Sequence, residues 1–439
     1  MFALRRLPSV APRSSIVQAI RGNAGLTTGA TSASESAQPP SASTSTTTGR
    51  TTLGRRRKLT ADKERKWNRA LPKHVVPAYD LALSVLEEDS KTLKKELKEH
   101  RTRIEEKEAE YTALEGKLAG AVGEARGAIE EEMRAVNEEL ERMVEKANII
   151  EVQSEINLPQ VRWAVNNAMA DMSKLSHRYL LEQKWRKDGD LDLLMERIYQ
   201  MNVVPDVLPV LQPTVDLHVV TKTRPTEYLK FGKVQTNVVP GVFLRPKQTL
   251  TPPKLYATVF HTDVRLYTML LVDPDVPNPE TGSYTTFLHW MKPNIPLSAT
   301  SPPSIPHLND HTTYIPPHPQ RGSPYHRYVC LLLQQPPLVE SGYALAASAR
   351  AGTEKSTSVS LDIPVVRKDE RLGFDVREFA ARWNLDGAQG GGAHMWREIW
   401  DEDVSMIYKD ILNENEPHYG QPPKADPYAQ IKQEKKYHL

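Results

Sequence analysis

The stretch that decides the fold lies at residues 266–335 and reads LYTMLLVDPDVP at 266–277, FLHW at 287–290 and HRYVCLLLQQ at 326–335. The first and last segments are short, uninterrupted apolar runs bounded by turn-forming residues. That pattern is typical of strands buried on both faces. Because Pro274 and Pro277 lack the backbone N–H that a strand ladder needs, the first strand is predicted to end where they begin.

Polar side chains lie where these runs end. Asp273 and Asp275 follow the first run, His289 lies in the middle segment, and His326 and Tyr328 open the last. Two carboxylates, two imidazoles and a phenol at the ends of neighbouring strands predict a small polar pocket on an apolar frame. A simpler interpretation remains open, in which the carboxylates only cap a turn and the histidines are satisfied core residues.

The motifs DPDVP at 273–277, LHW at 288–290 and GSPYHRY at 322–328 resemble, in order and spacing, the two signature blocks of the phosphatidylethanolamine-binding protein (PEBP) family. The resemblance covers residues 203–413. It implies an α+β fold, with a PEBP-like antiparallel β-sandwich and closing helices, and a pocket that binds phosphate-bearing head groups. The positions that correspond to the family's pocket are Asp273, Asp275, Pro277, His289, Pro316, His326, Tyr328 and Tyr408.

One of these positions departs from the family pattern. The family has a glycine in the loop before the second block, and Pro316 falls at that place here. Proline has no N–H to offer an anion and lacks the conformational range of glycine. The pocket is therefore predicted to be vestigial, with no small-molecule ligand and no cofactor. Within it, Asp273 is predicted to orient His289, as a carboxylate fixes an imidazole tautomer.

Composition excludes several other classes of site. The 439 residues are 39% hydrophobic and 26% charged, and the one cysteine, Cys330, rules out an internal disulfide framework and a multi-cysteine zinc site. No apolar run is long enough for a transmembrane helix, so no membrane insertion is expected. Four histidines share a proline-rich loop without the spacing of metal ligands, so no metal is expected. No catalytic set is recognisable, and the chain is predicted not to be an enzyme. The four histidines of the proline-rich loop are His307, His311, His318 and His326.

The N-terminal segments are basic. Residues 1–60 hold nine basic residues against one acidic residue, while the whole chain has a net charge of +2. Residues 1–48 have the Ser-, Thr-, Ala- and Arg-rich composition of a mitochondrial transit peptide, although an ordinary disordered tail has a similar composition. Residues 49–77 form a basic linker that either contacts RNA or is simply solvated. The candidates for RNA contact are Arg55, Arg56, Arg57, Lys58, Lys63, Arg65, Lys66 and Trp67.

A long charged helical extension precedes the strands. Residues 78–156 show apolar positions at coiled-coil spacing, which predicts either one long coiled-coil-like rod or a helical hairpin that folds near Gly120–Gly127. Residues 157–202 are a helical connector, and residues 414–439 are an extended tail. Further strands are predicted at 215–220, 256–260, 284–291 and 359–363, with helices at 374–383 and 395–412.

A PEBP-like domain behind a presequence and a long helical extension resembles one architecture within the family, that of a mitochondrial large ribosomal subunit component. This resemblance implies a structural role near the central protuberance. The implied location is the mitochondrial matrix, and the implied partners are large-subunit rRNA and neighbouring ribosomal proteins. The alternative is a mitochondrial PEBP-type regulator that binds a phospholipid or another anion. The missing glycine and the long N-terminal half favour the ribosomal role.

Overall fold

The computed structural model describes residues 67–118, 120, 124–338 and 356–420. The predicted presequence, all of the RNA-contact candidates except Trp67, and the tail after Gly420 lie outside this part of the chain. The helices are α1 (Pro77–Leu118), α2 (Glu124–Ile156), α3 (Pro159–Asn166), α4 (Leu175–Lys187), α5 (Asp190–Gln200), α6 (Val203–Asp206), α7 (Pro225–Phe231), α8 (Pro246–Thr249), α9 (Val376–Trp383) and α10 (Glu402–Met406). No helix in the described ranges is apolar over a length that would cross a bilayer.

The strands form two sheets. They are β1 (Asp216–Lys222), β2 (Gln235–Asn237), β3 (Phe243–Leu244), β4 (Lys254–Thr258), β5 (Arg265–Asn278), β6 (Ser283–Leu297), β7 (His326–Gln334) and β8 (Gly391–Glu398). The smaller sheet has the order β2-β1-β4 and the larger has the order β3-β8-β7-β5-β6. The named pairs are antiparallel except for the short parallel pair of β3 and β8. Both sheets belong to the α+β fold that the sequence predicts.

The central strands are apolar throughout because both faces of the large sheet are covered. Tyr267, Met269 and Leu271 of β5 pack toward the small sheet. Leu270 and Val272 pack on the opposite face, against a layer that includes α5 and α9. Each residue therefore meets a core whichever way its side chain points, and the run has no polar alternation. Burial at about 25 cal/mol per Å² makes these two layers the main stabilising contribution of the domain.

The predicted end of the first strand is wrong. Strand β5 continues through Pro274 and Pro277 to Asn278. Its pairing with β7 stops at Val272, and the register with β6 shifts between Asp273 and Val276. A proline is tolerated there because it lies at an irregularity and beyond the last residue with a partner strand on each side.

Two further secondary-structure predictions are also wrong. Residues 395–412 do not form one helix, because β8 extends to Glu398 before α10 and a π-helical turn at Ile407–Leu412. Residues 359–363 form no strand in the described structure. The backbone N–H of Leu361 donates to Asn294 Oδ1 at 3.0 Å, and Asn294 Nδ2 donates to the Leu361 carbonyl at 2.8 Å. A side-chain amide thus satisfies the backbone groups that a neighbouring strand would otherwise pair.

The helical extension contains two helices packed on each other rather than one rod. Helices α1 and α2 share a seam that includes Leu97, Ile104 and Leu140. Lys94 pairs with Glu155 and Lys107 pairs with Glu139, so the two helices run in opposite directions. Helix α1 ends at Leu118 and α2 begins at Glu124, and the glycine-containing stretch that has the weakest helix propensity lies there in the sequence. The seam gives the narrow apolar stripe of each helix its partner.

Leu140→Ala is expected to loosen this hairpin. Leu140 is fully buried in the seam, and removing a buried leucine side chain costs about 2–5 kcal/mol. Hydrogen exchange should show faster exchange for the amides of α1 and α2. Ile149→Ala is the matched control because Ile149 is 50% exposed. Equal protection in the two variants would contradict the hairpin core.

Candidate functional site

Two neighbouring strands bring Asp273 and His326 together in the interior. Asp273 is at the end of the doubly paired part of β5, and His326 opens β7. His326 Nδ1 donates to Asp273 Oδ2 at 2.7 Å, and both side chains are buried. Burial alone would raise the pKa of Asp273, but the adjacent imidazolium holds it below its usual value, and the carboxylate in turn raises the pKa of His326. The pair is therefore a buried, mutually neutralised couple.

Asp273 does not orient His289, which corrects the sequence prediction. His289 Nδ1 instead donates to the carbonyl of Ile315 at 2.9 Å, and Ile315 N–H donates back to the His289 carbonyl. Strand β5 lies between β6 and β7, so Asp273 has a histidine on each side. The Ile315 carbonyl accepts the hydrogen bond of the His289 Nδ1–H, so His326 is the imidazole that pairs with the Asp273 carboxylate.

His289 is a poor anion ligand in this environment. Desolvation by burial lowers its pKa to about 3, so the ring is neutral. Its proton is on Nδ1, and its Nε2 has no hydrogen-bond partner among the described residues. A neutral imidazole protonated on Nδ1 offers only a lone pair at Nε2. That nitrogen would accept a proton rather than donate one to a phosphate oxygen.

An aromatic cluster fills the space around His289. The rings of Phe287, His289, His318, Tyr328 and Tyr408 are linked by contacts with centroid distances of 4.8–5.4 Å. These contacts have a tilted or edge-to-face geometry, which is favourable for aromatic pairs. The sequence pattern predicts no place in the pocket for Phe287 or His318. Their spacing relative to His289 and Pro316 carries no clear signal of a shared cluster.

The site is closed by the loop that carries Pro316. Residues 315–320 are all buried, and the Pro316 carbonyl accepts from His318 Nδ1 at 2.8 Å. The C-terminal segment runs beside this loop, where Tyr419 N–H donates to the Arg321 carbonyl. A Cβ built on Gly322 would lie 1.8 Å from the Tyr419 carbonyl oxygen, so only glycine allows this approach. The segment therefore lies directly against the loop that covers the cluster.

Two of the eight predicted pocket residues lie outside the cluster. Asp275 accepts two hydrogen bonds from the Arg327 guanidinium, whose NH1 also donates to Asp206. Arg327, held by Asp275, thus ties the sheet to α6. Pro277 lies further along β5, opposite Tyr284. The structure brings together Asp273, His289, His326, Tyr328 and Tyr408, with Pro316 in the covering loop.

Glu398 is a buried carboxyl that the sequence pattern does not single out. Its Oε1 accepts from Thr249 Oγ1 at 2.9 Å and Trp396 Nε1 at 2.8 Å, while its Oε2 has no partner among the described residues. Burial raises its pKa to about 8. The sequence signal that could have identified Glu398 is its position in a strand-like alternation. The incorrect prediction of a helix at 395–412 obscures this signal.

Glu398→Gln is expected to change the pH dependence of stability. The folded carboxyl titrates near pH 8, whereas the ordinary pKa of a glutamate is 4.5. Raising the pH between these values therefore favours the unfolded state, which has already lost the proton. A glutamine does not titrate, so the variant should gain stability relative to the wild type from about pH 4.5 to 8 and show no further gain above. Urea unfolding across this range measures the difference, and Glu402→Gln is the exposed control. A pH-independent difference would disprove the expectation.

In the described ranges, no group of three or more His, Cys, Asp or Glu side chains is placed to hold a metal ion. Asp273 instead pairs with His326, and His289, His318 and Tyr408 each donate to a backbone carbonyl. The Tyr328 hydroxyl is buried and has no hydrogen-bond partner among the described residues. The arrangement therefore has the residues of an anion pocket, but they lie beneath the buried loop at 315–320.

Comparison with known proteins identifies the domain. The family model for phosphatidylethanolamine-binding proteins matches residues 227–385. The chain is 29% identical over 263 residues to large ribosomal subunit protein mL38 of Schizosaccharomyces pombe, covering 59% of this chain and 74% of that protein. It is 35% identical over 108 residues to Protein FLOWERING LOCUS T of Arabidopsis thaliana, covering 24% of this chain and 57% of the relative.

A solved structure also aligns with part of the chain. A phosphatidylethanolamine-binding protein from Plasmodium vivax aligns over 47% of this chain and 97% of its own, with 16% identity and a TM-score of 0.30. The matched family segment, 227–385, contains the whole of β5, β6 and β7 and the residues of the buried cluster except Tyr408. The chain therefore carries a phosphatidylethanolamine-binding protein domain in its C-terminal half.

Proposed function

We propose that this protein is a structural component of the large subunit of the mitochondrial ribosome. The observation that carries the proposal is the length of the similarity to mL38. That similarity extends over 263 residues, more than the 211 residues of the segment 203–413. It therefore reaches beyond the PEBP-like domain, into parts of the chain that an anion-binding domain does not need.

The helical extension supports a role in an assembly. The pairing of α1 with α2 stops near Lys94, because α2 ends there, and the turns of α1 that precede Lys94 do not pack on α2. Leu81 and Val85 lie there, four residues apart on one helix face, and are 66% and 61% exposed. Exposed apolar side chains arranged on one face are typical of a surface that contacts another molecule. The proposed location is the mitochondrial matrix, with rRNA and neighbouring ribosomal proteins as partners.

Sedimentation of a mitochondrial lysate through a high-salt sucrose gradient tests this function. The chain, followed by immunoblot, is expected to migrate with the large ribosomal subunit. Ribonuclease treatment before centrifugation is the control, because it should shift the chain toward the top of the gradient. Migration at the top without ribonuclease would refute the ribosomal assignment.

We also propose that the buried cluster has a structural role and takes no small-molecule ligand. Support comes from the neutral, Nδ1-protonated ring of His289, the neutralised Asp273–His326 pair and the buried covering loop. Beside Tyr408, a surface cavity of about 460 Å³ is lined by Glu414, Glu416 and Lys409. Two carboxylates and one ammonium group leave a net negative charge there, which disfavours the approach of an anion.

Calorimetry with inorganic phosphate and with phosphatidylethanolamine vesicles is expected to show no saturable binding at ligand concentrations up to about 1 mM. A dissociation constant of about 1 mM corresponds to a binding free energy of only about −4 kcal/mol. Pro316→Gly restores the family's glycine and provides a second test. This variant should also fail to bind, because the loop stays buried and His289 still donates to Ile315. Saturable binding by the wild type would favour the alternative function, an anion-binding regulator.

A further inference from the structure

A strongly basic segment lies between the end of β1 and the start of β4. Residues 222–254 contain seven basic residues and one acidic residue, a net charge of +6. Since the whole chain has a net charge of +2, the rest of it has −4. We name the surface formed by this segment the basic face. Its basic residues are Lys222, Arg224, Lys230, Lys233, Arg245, Lys247 and Lys254.

The parts of the basic face are held together by hydrogen bonds. Gln248 Nε2 of α8 donates to the Lys222 carbonyl at 2.8 Å, and Thr223 N–H donates to the Val234 carbonyl at 3.0 Å. The register of β1 and β4 places Lys254 opposite Val220, two residues before Lys222. Helices α7 and α8 and one end of the small sheet therefore form a single surface.

Arg224 has a structural role in this surface. Its guanidinium NH2 donates to the Phe243 carbonyl at 2.5 Å, and its Nε donates to Gln248 Oε1. This side chain therefore fixes the loop before α8 rather than facing a partner. The other six basic side chains are exposed, and one of them, Arg245, also lies near the carboxyl of Asp401.

Those six side chains are exposed and form no salt bridge within the described residues. Two lysines of the hairpin differ, because Lys94 and Lys107 each pair with a glutamate. Like charges crowded on one surface repel one another, and a polyanion relieves that repulsion. The basic face therefore favours a partner of opposite charge.

Exposed apolar side chains accompany the charge. Tyr228 is 50% exposed on α7, and Leu229 and Val234 beside it are 84% and 67% exposed. An exposed aromatic ring among cationic side chains can stack on an unpaired base while the cations neutralise phosphates. Five of the seven basic residues are lysines, a residue that is depleted in protein–protein interfaces but common in phosphate contacts.

We propose that the basic face binds RNA, with its lysines on the sugar–phosphate backbone and Tyr228 stacked on an unpaired base. This inference rests on the proposed ribosomal function and names one of its RNA-contacting surfaces. The contact lies within the PEBP-like half of the chain, far in sequence from the basic linker at 49–77.

Fluorescence anisotropy tests the proposal. It measures the binding of the full-length chain to a labelled 20-nucleotide single-stranded RNA, a length of about two OB-fold sites. The variant Lys230→Gln/Lys233→Gln/Lys247→Gln removes three exposed charges. If each lysine neutralises one phosphate, the slope of log K against log salt should fall by about 2, and affinity at 0.1 M salt should fall on the order of 100-fold. The matched control, Lys91→Gln/Lys95→Gln/Lys98→Gln, removes three exposed charges from α1 and should leave affinity nearly unchanged.

Tyr228→Ala separates stacking from charge. It should weaken binding by about tenfold and leave the salt slope unchanged, because stacking releases no counterions. Unaltered RNA affinity in both the triple variant and Tyr228→Ala would overturn the proposal. Tighter binding of polyglutamate than of RNA would also overturn it, since the face would then fit an acidic protein. Melting temperatures equal to the wild type's exclude a folding defect.

The gradient experiment distinguishes failure of this inference from failure of the ribosomal role. If the chain migrates with the large subunit but the triple variant binds RNA normally, only the basic face is wrongly assigned. If the chain stays at the top of the gradient but RNA binding depends on the three lysines and Tyr228, the ribosomal role fails and the RNA-binding face stands.

Discussion

Gly391→Ala is expected to destabilise the C-terminal domain strongly, although it adds only a methyl group. Gly391 has a φ of +131°, and a Cβ there would lie 2.2 Å from the carbonyl oxygen of Leu332. That carbonyl belongs to β7, which is paired with β5 on one side and β8 on the other. The strand cannot withdraw without losing ladder hydrogen bonds. Backbone strain and overpacking together should cost about 2–6 kcal/mol.

Urea unfolding followed by tryptophan fluorescence measures this loss, and Gly282→Ala is the matched control. Gly282 also has a positive φ, of +63°, but a Cβ there would meet nothing within 4 Å. The control should therefore show only the conformational cost, about 1–2 kcal/mol. Equal losses in the two variants would mean that the approach to Leu332 does not account for the glycine.

Asp273→Asn is expected to have the second large effect. It leaves His326 buried without a counter-charge, and breaking a buried ion pair by removing one partner costs about 3–5 kcal/mol. Chemical denaturation at pH 6 measures the loss in the free energy of unfolding. Asp310→Asn is the control, because Asp310 is 59% exposed on the side chain and lies 3.9 Å from Lys292. An exposed pair of that kind contributes about 0–1 kcal/mol.

The effect of Asp273→Asn should depend on pH. The lowered pKa of Asp273 gives a contribution that is present above the ordinary aspartate value of 3.8 and lost as the pH falls through the folded value. The raised pKa of His326 gives a contribution that is complete below the ordinary histidine value of 6.5 and lost as the pH rises through the folded value. The difference between wild type and variant should therefore be largest between about pH 4 and 6.5. A difference that grows steadily above pH 7 would contradict the ion pair.

The sequence alone determined the frame of the domain and the composition of its buried cluster. Two uninterrupted apolar runs predicted β5 and β7, because a strand covered on both faces needs apolar residues at every position. Residues at the ends of those strands predicted that Asp273, His289, His326 and Tyr328 lie together. The seam in residues 78–156 predicted helices that need a partner, although it left both a rod and a hairpin open.

Tertiary structure alone decided how those groups are used. Whether Asp273 pairs with His289 or His326 depends on a carbonyl from the loop at Ile315, which is 26 residues from His289 in sequence. The closure of the site depends on the C-terminal segment meeting Gly322, and the basic face depends on β1, α7, α8 and β4 converging. Local patterns record which face of an element is buried. They do not record which distant backbone group accepts a given hydrogen bond, because long-range packing decides which groups meet.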